Sequence, residues 1–373
     1  PSAILTDGGK RPRGPMLTAI TFALILTSAV VVHELAHYLN ARSVGVPVRA
    51  FSVGIGPVLL RRRWRGTEWR LSLLPLGGYV DLPGMAPKVA EDGRLEHPDE
   101  GMAKKGLGAK LWVLVGGVIA NYLLGAVLLA WAVSLEPSFR EVVTGAPVGV
   151  QGSRVETVAD GSSAASLGLR PGDVIVAVNG VAAPGPDQVV GQVRTAAGLT
   201  LTVERGGETF EVTTPWPLPG AGDPPLLGIQ IVAVVEPVGF LQALPEALAF
   251  GVRVIPRMVS GFVSGFAGAI TGSGSADVAG PVGMVGMVSQ ATQVGLAPVV
   301  LLAAVINFSL AVFNLLPIPG LDGGRMLLAT VVAVRGRPFR PGQEEAIHFI
   351  GVMAVLALIV LITFRELGAL LAG

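Results

Sequence analysis

An apolar run without a charged residue, Leu17 to Val32, leads directly into the pattern His-Glu-x-x-His at residues 33–37. A run of this kind predicts a helix that crosses a membrane. Residues four apart lie on one face of a helix, so His33 and His37 can offer imidazole nitrogens to a single metal ion. Glu34 lies beside them, where it can take a proton from water activated by the metal. Because ionisable groups at membrane depth are costly and usually functional, the pattern predicts a metal-dependent active site.

Two histidines leave a zinc site one protein ligand short, and the chain has only four histidines and no cysteine. His97 lies in a polar stretch typical of an exposed loop, and His348 opens the last apolar segment, where an interfacial position is expected. Asp322 is the better candidate, because it follows another apolar run and Pro317 and Pro319 break the helix just before it. Two histidines and one carboxylate with an open fourth position are typical of catalytic zinc.

The two motifs together resemble the site-2 protease family of intramembrane zinc proteases. The second motif, Asn-x-x-Pro-x-Pro-x-Leu-Asp-Gly, is matched at every position, by Asn314, Pro317, Pro319, Leu321, Asp322 and Gly323. The resemblance covers nearly the whole chain. It implies that His33, His37 and Asp322 bind Zn²⁺, that Glu34 is the catalytic carboxylate and that Asn314 contacts the substrate backbone.

The composition agrees with a multi-span membrane protein. The chain is 51% hydrophobic and 14% charged, with a mean hydropathy of +0.64, which is too apolar for an ordinary soluble enzyme. A net charge of +1, with no basic strip interleaved with aromatic residues, gives no indication of a nucleic-acid partner. The absence of cysteine excludes disulfides and thiolate ligands. No cleavable signal peptide is expected, because the first apolar run is long enough to span and carries the active site.

Basic residues predict the orientation of four transmembrane helices. The segment Arg42–Lys110 holds twelve Lys or Arg against seven acidic residues, whereas residues 134–240 hold five against eleven. The positive-inside rule therefore places the first segment in the cytoplasm, and the middle of the chain and both termini outside. The first and third spans then run in the same direction, so His33, His37 and Asp322 fall at similar depth near their cytoplasmic ends.

The segment Val48–Leu82 predicts β structure, with two short alternating runs separated by a turn from Arg61 to Thr67. By residue pattern alone it is an ordinary cytoplasmic hairpin. Its Gly77-Gly78-Tyr79 portion, however, resembles the membrane-entering β-hairpin loop of the family, and these three residues are candidate substrate contacts. An exposed strand edge near the zinc could pair with an unwound substrate by strand addition.

Asparagines in the apolar helices have two interpretations. Gly117 to Asn121 resembles the family pattern Gly-Pro-x-x-Asn, with Val118 where proline is expected. Asn121 is therefore either part of that motif or a helix–helix hydrogen-bonding residue. Asn307 and Asn314 lie on one face of the third span, where Asn307 is expected to be structural.

The middle of the chain resembles a PDZ domain, expected at residues 140–216. Residues 165–180 carry a Gly-Asp turn leading into a strand and an Asn-Gly turn, and residues 199–213 read as two strands joined by Gly-Gly. The domain either binds peptides by adding a strand or acts as a steric plug. The proline-rich stretch Pro215–Pro225 is expected to be a linker. Residues 240–270, interrupted by Arg253, Pro256 and Arg257, are expected to form interfacial amphipathic helices.

The expected fold class is an α-helical polytopic membrane protein with four transmembrane helices, a membrane-associated β-hairpin loop and one extracytoplasmic PDZ-like α+β domain. The predicted segments are a tail (1–15), helix one with the histidines (16–41), a cytoplasmic loop with the hairpin (42–110), helix two (111–133), the PDZ-like domain (140–216), a linker and interfacial helices (217–295), helix three with the Asp322 loop (296–324), a cytoplasmic loop (325–345) and helix four (346–370).

These observations predict an intramembrane zinc endopeptidase, and the resemblance implies a multi-pass protein of a bacterial inner membrane. By resemblance, its substrate is a single-span protein already shortened outside, such as an anti-sigma factor or a remnant signal peptide, and the PDZ-like domain limits access. One alternative is a PDZ-bearing membrane scaffold with a structural or inactive metal site, which has no need of a base such as Glu34. Another is a metal transporter, which should show repeated halves or several such sites; the sequence has one site and no internal repeat.

Overall fold

The computed structural model describes residues 14–85, 88–89, 95–96, 100–145, 149–182, 184–219, 221–222, 224–271, 279–340 and 342–372. These residues form two compact units. The membrane unit comprises the chain up to Ala132 together with Leu244–Gly373, and the β-rich unit comprises Val133–Ala243. The predicted tail falls outside the described residues except for its last two, and Pro15 already opens the first helix. His97 also lies outside the described residues.

The membrane unit is built mainly of helices. They are α1 (Pro15–Ser43), α2 (Leu107–Leu135, which runs on into the other unit), α6 (Phe240–Arg253), α7 (Ile255–Thr271), α8 (Pro281–Val294), α9 (Leu296–Leu315), α10 (Asp322–Arg335) and α11 (Gln343–Ala372). Helix α1 packs against α8 and α9. The buried residues that join them are small or branched and apolar, among them Ile25, Val288 and Ala303. This packing fixes the helix that carries His33 and His37 against α8 and α9.

Five helical segments of the described chain are long and apolar enough to cross a membrane. They are Pro15–Ser43, Leu107–Leu135, Phe240–Gly265, Leu296–Leu315 and Gln343–Ala369. The chain is therefore a polytopic membrane protein. Four of these segments coincide with the four predicted spans. The fifth, Phe240–Gly265, falls in the stretch for which the sequence predicts interfacial helices, so that placement and the count of four spans stay predictions.

A long bent hairpin follows α1. Strands β1 (Ala50–Trp64) and β2 (Thr67–Asp81) are antiparallel and are joined at Arg65 and Gly66. The turn is narrower than predicted, because residues 61–64 continue β1. Residues Ala50–Val53 have β2 partners on both sides, in Glu68–Leu71 and in Gly78–Asp81. No strand of the described chain pairs with the other side of Gly78–Asp81, which is therefore an open edge.

The hairpin is fixed to α1 beside the histidines. Trp69 of β2 contacts Tyr38 of α1 and Phe51 of β1, with ring centroids 5.2 and 4.8 Å apart. The hydroxyl of Thr27 donates a hydrogen bond to the carbonyl of Pro75. Two short strands, β3 (Lys88–Val89) and β4 (Leu95–Glu96), pair with each other after the hairpin.

The prediction of a loop at residues 325–345 is wrong for the first half of this range, which forms helix α10. Asp322 begins this helix, where a carboxylate interacts favourably with the helix dipole, and Gly336 ends it in a left-handed conformation. Charged residues suggested a loop, but Leu328 is buried and the helix presents an apolar face. Helix α11 then begins at Gln343, close to the predicted start of the fourth span.

The described residues of the β-rich unit form one antiparallel sheet with the strand order β10-β5-β6-β8-β9, and β7 pairs with β6. Its elements are α3 (Phe139–Thr144), β5 (Val150–Val158), α4 (Ser163–Ser166), β6 (Val174–Val178), β7 (Val181–Ala182), α5 (Pro186–Thr195), β8 (Gly198–Arg205), β9 (Glu208–Pro215) and β10 (Ile229–Val235). Alternate residues of β8 (Leu199, Leu201 and Val203) fill the core beneath α5, as the period of two in the sequence predicts.

This unit extends past the predicted boundary at residue 216, and the proline-rich stretch is not a free linker. Trp216 is 4% exposed and donates its indole N–H to the carbonyl of Val193. Leu227 is also buried in the same core, and β10 then pairs with β5. Proline content correctly predicted the absence of helix and strand for the described residues of 217–228, but it gives no information about burial of the apolar residues between the prolines.

Candidate metal centre

Helix α1 places His33 and His37 one turn apart, and both side chains are buried. Their Nε2 atoms lie 3.1 Å from each other. Oδ2 of Asp322, at the first residue of α10, lies 3.1 Å from each of these nitrogens. The three atoms form a nearly equilateral triangle, although Asp322 is 285 residues from His37 in sequence. The three predicted ligands are thus brought together.

The triangle fits a zinc ion better than a network of hydrogen bonds. Hydrogen bonds alone would need a proton between each pair of three atoms, whereas a neutral imidazole nitrogen and a carboxylate oxygen are both acceptors. Tetrahedral zinc with ligand bonds of about 2.0–2.1 Å holds its ligand atoms about 3.3 Å apart. The observed 3.1 Å is close to this spacing. Two nitrogens and one oxygen are also a donor set that zinc prefers.

Helix α2 orients His37. The Nδ1–H of His37 donates a hydrogen bond of 2.8 Å to the carbonyl of Val113. This bond places the ring proton on Nδ1, so Nε2 of the neutral imidazole keeps its lone pair for a metal. A backbone carbonyl has no residue-type signature, and sequence reasoning missed this contact.

Gly117, one turn farther along α2, allows the close approach to His33. A Cβ at this position would lie 2.4 Å from Cε1 of His33 and 2.7 Å from its Nε2. Only glycine leaves room for the imidazole here. In the sequence Gly117 is recognisable as part of a motif, but its packing against His33 is not predicted there.

Asn121 lies beside the other nitrogen of His33, with its amide nitrogen 3.5 Å from Nδ1. The side chain is 1% exposed, and its Oδ1 has no hydrogen-bond partner in the described chain. If His33 is to offer Nε2 to a metal, its Nδ1 must carry the proton and donate it. The amide orientation that turns Oδ1 of Asn121 towards Nδ1–H satisfies both groups.

Glu34 shares one cavity of about 280 Å³ with the three convergent residues. Its carboxylate is half-buried on α1, next to His33. The same cavity is lined by Tyr79 and Val80 from the open edge of β2 and by Asn314 from α9. A substrate segment in this cavity would therefore meet the three metal-binding atoms, a carboxylate and a strand edge together.

Some of the predicted substrate-contacting residues line the cavity and others do not. Asn314 and Tyr79 line the cavity, and the amide of Asn314 donates to the carbonyl of Leu310 in its own helix. Gly77 and Gly78 precede Tyr79 in β2 and do not line the cavity. Asn307 is buried, and its amide donates to a carbonyl one turn earlier, which agrees with a structural role.

His348 is not among the convergent atoms. Its Nδ1 accepts a hydrogen bond of 2.9 Å from the backbone N–H of Gly320. Gly320 has φ of +98°, a conformation that glycine adopts readily and other residues rarely do. His348 therefore fixes the bend that carries the chain from α9 to Asp322. The sequence predicted an interfacial position for His348 and did not predict this contact.

Comparisons with known proteins agree with this geometry. The profile of peptidase family M50 matches residues 21–358. The chain is 34% identical over 372 residues to the Agrobacterium fabrum protein named putative zinc metalloprotease Atu1380, covering 94% of this chain and 96% of that protein. It is 32% identical over 355 residues to membrane metalloprotease ARASP of Arabidopsis thaliana chloroplasts, covering 90% and 75%. A Nostoc protein named putative zinc metalloprotease all3971 is 28% identical, with coverage of 94% and 96%.

These similarities extend over almost the entire chain, and they confirm the family, the metalloprotease class and the zinc cofactor expected from the sequence. The chain therefore belongs to peptidase family M50, the site-2 protease family, and is a membrane zinc metalloprotease.

Proposed function

We propose that this metalloprotease hydrolyses a peptide bond within a transmembrane segment, with His33, His37 and Asp322 as zinc ligands and Glu34 as the general base and acid. The observation that supports the assignment is the convergence of three buried ligand atoms, 3.1 Å apart, in a cavity that also contains Glu34. A structural zinc site has four protein ligands. The described residues supply three, which leaves a position for water and substrate.

Each protein group has a defined task in this proposal. Zinc, when bound, supplies a Lewis acid that polarises the scissile carbonyl and makes water easier to deprotonate. Glu34 takes a proton from the attacking water and delivers it to the leaving amine. The carbonyl of Val113 keeps the Nδ1 proton on His37, and Oδ1 of Asn121 does the same for His33, so both imidazoles present Nε2.

The substrate is held as an extended strand. A transmembrane helix satisfies its own peptide groups, so hydrolysis requires local unwinding, which exposes those groups in the membrane. The open edge Gly78–Asp81, with Tyr79 and Val80 in the cavity, can pair with the unwound segment by strand addition. Asn314 also lines the cavity and is proposed to hydrogen-bond the same segment.

The position of this edge changes which proline substitution tests strand addition. Val53 pairs with both Leu71 and Gly78, so it is interior to the hairpin. Val80→Pro removes a donor of this edge, the backbone N–H that donates to Glu34, and should lower cleavage more than tenfold while zinc content stays unchanged. Val58→Pro, in the part of β1 away from the cavity lining, is the matched control. Equal effects of the two substitutions would argue against pairing at Gly78–Asp81.

The substrate class proposed is a single-span protein already shortened outside the cytoplasm, such as an anti-sigma factor or a remnant signal peptide. We propose a bacterial inner membrane as its location, which the family resemblance implies, with the β-rich unit outside, as the charge distribution predicts. This unit is proposed to be a PDZ domain that limits access. Its groove of about 520 Å³ between α5 and β10, lined by Val189, Val193 and Ile231, would accommodate an extended peptide and favours binding over a purely steric role.

The decisive experiment is cleavage of a single-span test substrate by purified protein, with bound zinc measured on the same samples. Glu34→Gln should retain zinc and lose cleavage, and a chelator should remove both. Glu208→Gln, in β9 of the other unit, should change neither. If Glu34→Gln still cleaves, the general base has been assigned wrongly. If the unaltered protein binds zinc but cleaves no substrate even after the β-rich unit is deleted, the scaffold with an inactive metal site becomes the better account.

A further inference from the structure

A second cavity, of about 480 Å³, adjoins the metal centre. Met85 and Arg325 line both cavities, so the two share a wall. Arg325 lies in the first turn of α10, three residues after Asp322. The remaining wall includes Lys110 at the start of α2 and Arg340 before α11.

The charged groups of this cavity are unbalanced. Its described lining includes three cationic side chains, those of Lys110, Arg325 and Arg340. It includes one carboxylate, that of Glu344. Glu344 lies 4.0 Å from Nε2 of His348, the titratable neighbour. Within the described ranges, no acidic side chain forms a salt bridge with any of the three cations.

Lys110 and Arg325 are partly buried, so bulk water screens their charges incompletely. Like charges gathered in a partly enclosed space repel one another, and an anion that enters the space relieves this repulsion. The cavity is therefore suited to bind an anionic group. Arg325 can present its planar fork of N–H donors to a carboxylate.

Peptide-bond hydrolysis creates such a group beside the cavity. The C–N bond breaks, the carbonyl carbon gains the oxygen of water, and the amine nitrogen gains a proton. At neutral pH the new carboxyl group releases its remaining proton and becomes a carboxylate. The intact peptide bond is uncharged, so a cationic cavity distinguishes product from substrate.

We propose that this cavity receives the newly formed C-terminal carboxylate of the N-terminal product fragment, with Lys110 and Arg325 as its principal contacts. This inference rests on the proposed function. It assigns an orientation to the substrate, because the N-terminal fragment then leaves on the side of the membrane where Lys110 and Arg340 lie. The cavity shares a wall with the metal centre, which favours a product carboxylate as its occupant. A lipid phosphate would have no reason to bind next to the metal-binding residues.

The test compares binding of one labelled peptide in two forms and does not depend on cleavage. Fluorescein-labelled Ala-Leu-Ala-Gly-Leu-Ala is prepared as the free acid and as the C-terminal amide. Fluorescence anisotropy measures its binding to the full chain. All measurements are repeated on protein stripped of zinc, because a carboxylate can also bind the metal itself. The acid should bind about tenfold more tightly than the amide with and without zinc.

Two variants test whether the cavity causes the preference for the acid form of the peptide. Lys110→Gln should reduce the ratio of acid to amide affinity to below about threefold. Arg337→Gln, in the loop after α10 and outside the cavity lining, should leave the ratio unchanged. Equal binding of acid and amide by the zinc-free protein overturns the proposal, even if the enzyme cleaves its substrate. Loss of co-purified phosphatidylglycerol in Lys110→Gln, with an unchanged acid-to-amide ratio, identifies a lipid phosphate site and also overturns it.

Discussion

Substitution of Gly117 by alanine tests whether the contact between α2 and His33 controls zinc affinity. The added Cβ would lie 2.4, 2.5 and 2.7 Å from Cε1, Nδ1 and Nε2 of the His33 ring, whereas ordinary contacts begin near 3.4 Å. The ring, or helix α2, must therefore move by about 1 Å. The ring is buried and cannot turn into solvent, so its Nε2 atom leaves the triangle formed with His37 and Asp322.

The expected loss is large enough to measure. Disturbing the groups that orient a metal ligand typically lowers affinity by about 10- to 100-fold. This corresponds to about 1.4–2.7 kcal/mol in binding free energy. If α2 moves instead of the ring, the 2.8 Å hydrogen bond from His37 to Val113 lengthens and the second ligand is disturbed. Either response weakens zinc binding.

Zinc affinity is measured by competition with a chelator of known affinity, and cleavage is measured on the same protein. Gly108→Ala, in the same helix, is the matched control, because a Cβ there meets no atom within 4 Å. It should leave zinc affinity unchanged, and as an exposed helical position it should stabilise the helix slightly. A Gly117→Ala protein that is folded and binds zinc within twofold of the unaltered protein would refute the assignment of His33 as a ligand positioned by α2.

Three further results are expected. Hydrogen bonds and charge from Arg205 hold the pKa of Asp173 below its ordinary value, so this pair stabilises the β-rich unit above about pH 4 and the stabilisation is lost as the pH falls further. The protection factors of the β6 and β8 amides, which correct hydrogen exchange for its slower intrinsic rate in acid, should fall on acidification, and Asp173→Asn should abolish that dependence. The carboxylate of Glu366 accepts hydrogen bonds from the N–H groups of Gly280 and Val282 at the start of α8. Glu366→Gln removes its negative charge and should lower the free energy of unfolding by about 1 kcal/mol, measured by thermal unfolding. Asn121→Ala should reduce zinc affinity about tenfold, whereas Asn121→Asp, which keeps an acceptor towards Nδ1–H of His33, should reduce it less.

The local parts of the site could be predicted from the sequence, because they depend on helix periodicity and on residues that end helices. His33 and His37 are one turn apart in any α-helix. Pro317 and Pro319 end α9 at the expected place, and Asp322 follows the break. The partners from α2 could not be predicted in the same way. Val113 is 76 residues from His37, and its contact is made by a backbone carbonyl, which every residue possesses.

The errors in the predicted fold have a similar cause. The sequence placed the end of the β-rich unit at residue 216, because prolines after that point exclude regular structure. Trp216 and Leu227 are nevertheless buried in its core, and β10 joins the sheet. Residues 325–335 were expected to be a loop because of their charge, but a helix can carry charge on one face and Leu328 on the other. Composition describes a segment's average polarity, whereas burial depends on the direction of each side chain.

The arrangement of α2 and α10 around α1 explains how an apolar bundle can contain four polar side chains in one cavity. They are His33, Glu34, His37 and Asp322. Buried polar groups are costly unless each has a partner, and the cost rises in a membrane. Here His37 is paired with Val113, His33 with Asn121, and the bend before Asp322 is held by His348. Among the described atoms of the three ligand side chains, His33 Nε2, His37 Nε2 and Asp322 Oδ2 face one another and are left for the metal. Removal of a supporting group should therefore affect zinc affinity before it affects folding, because the support is specific to the orientation of a ligand and most of the surrounding helix packing is apolar.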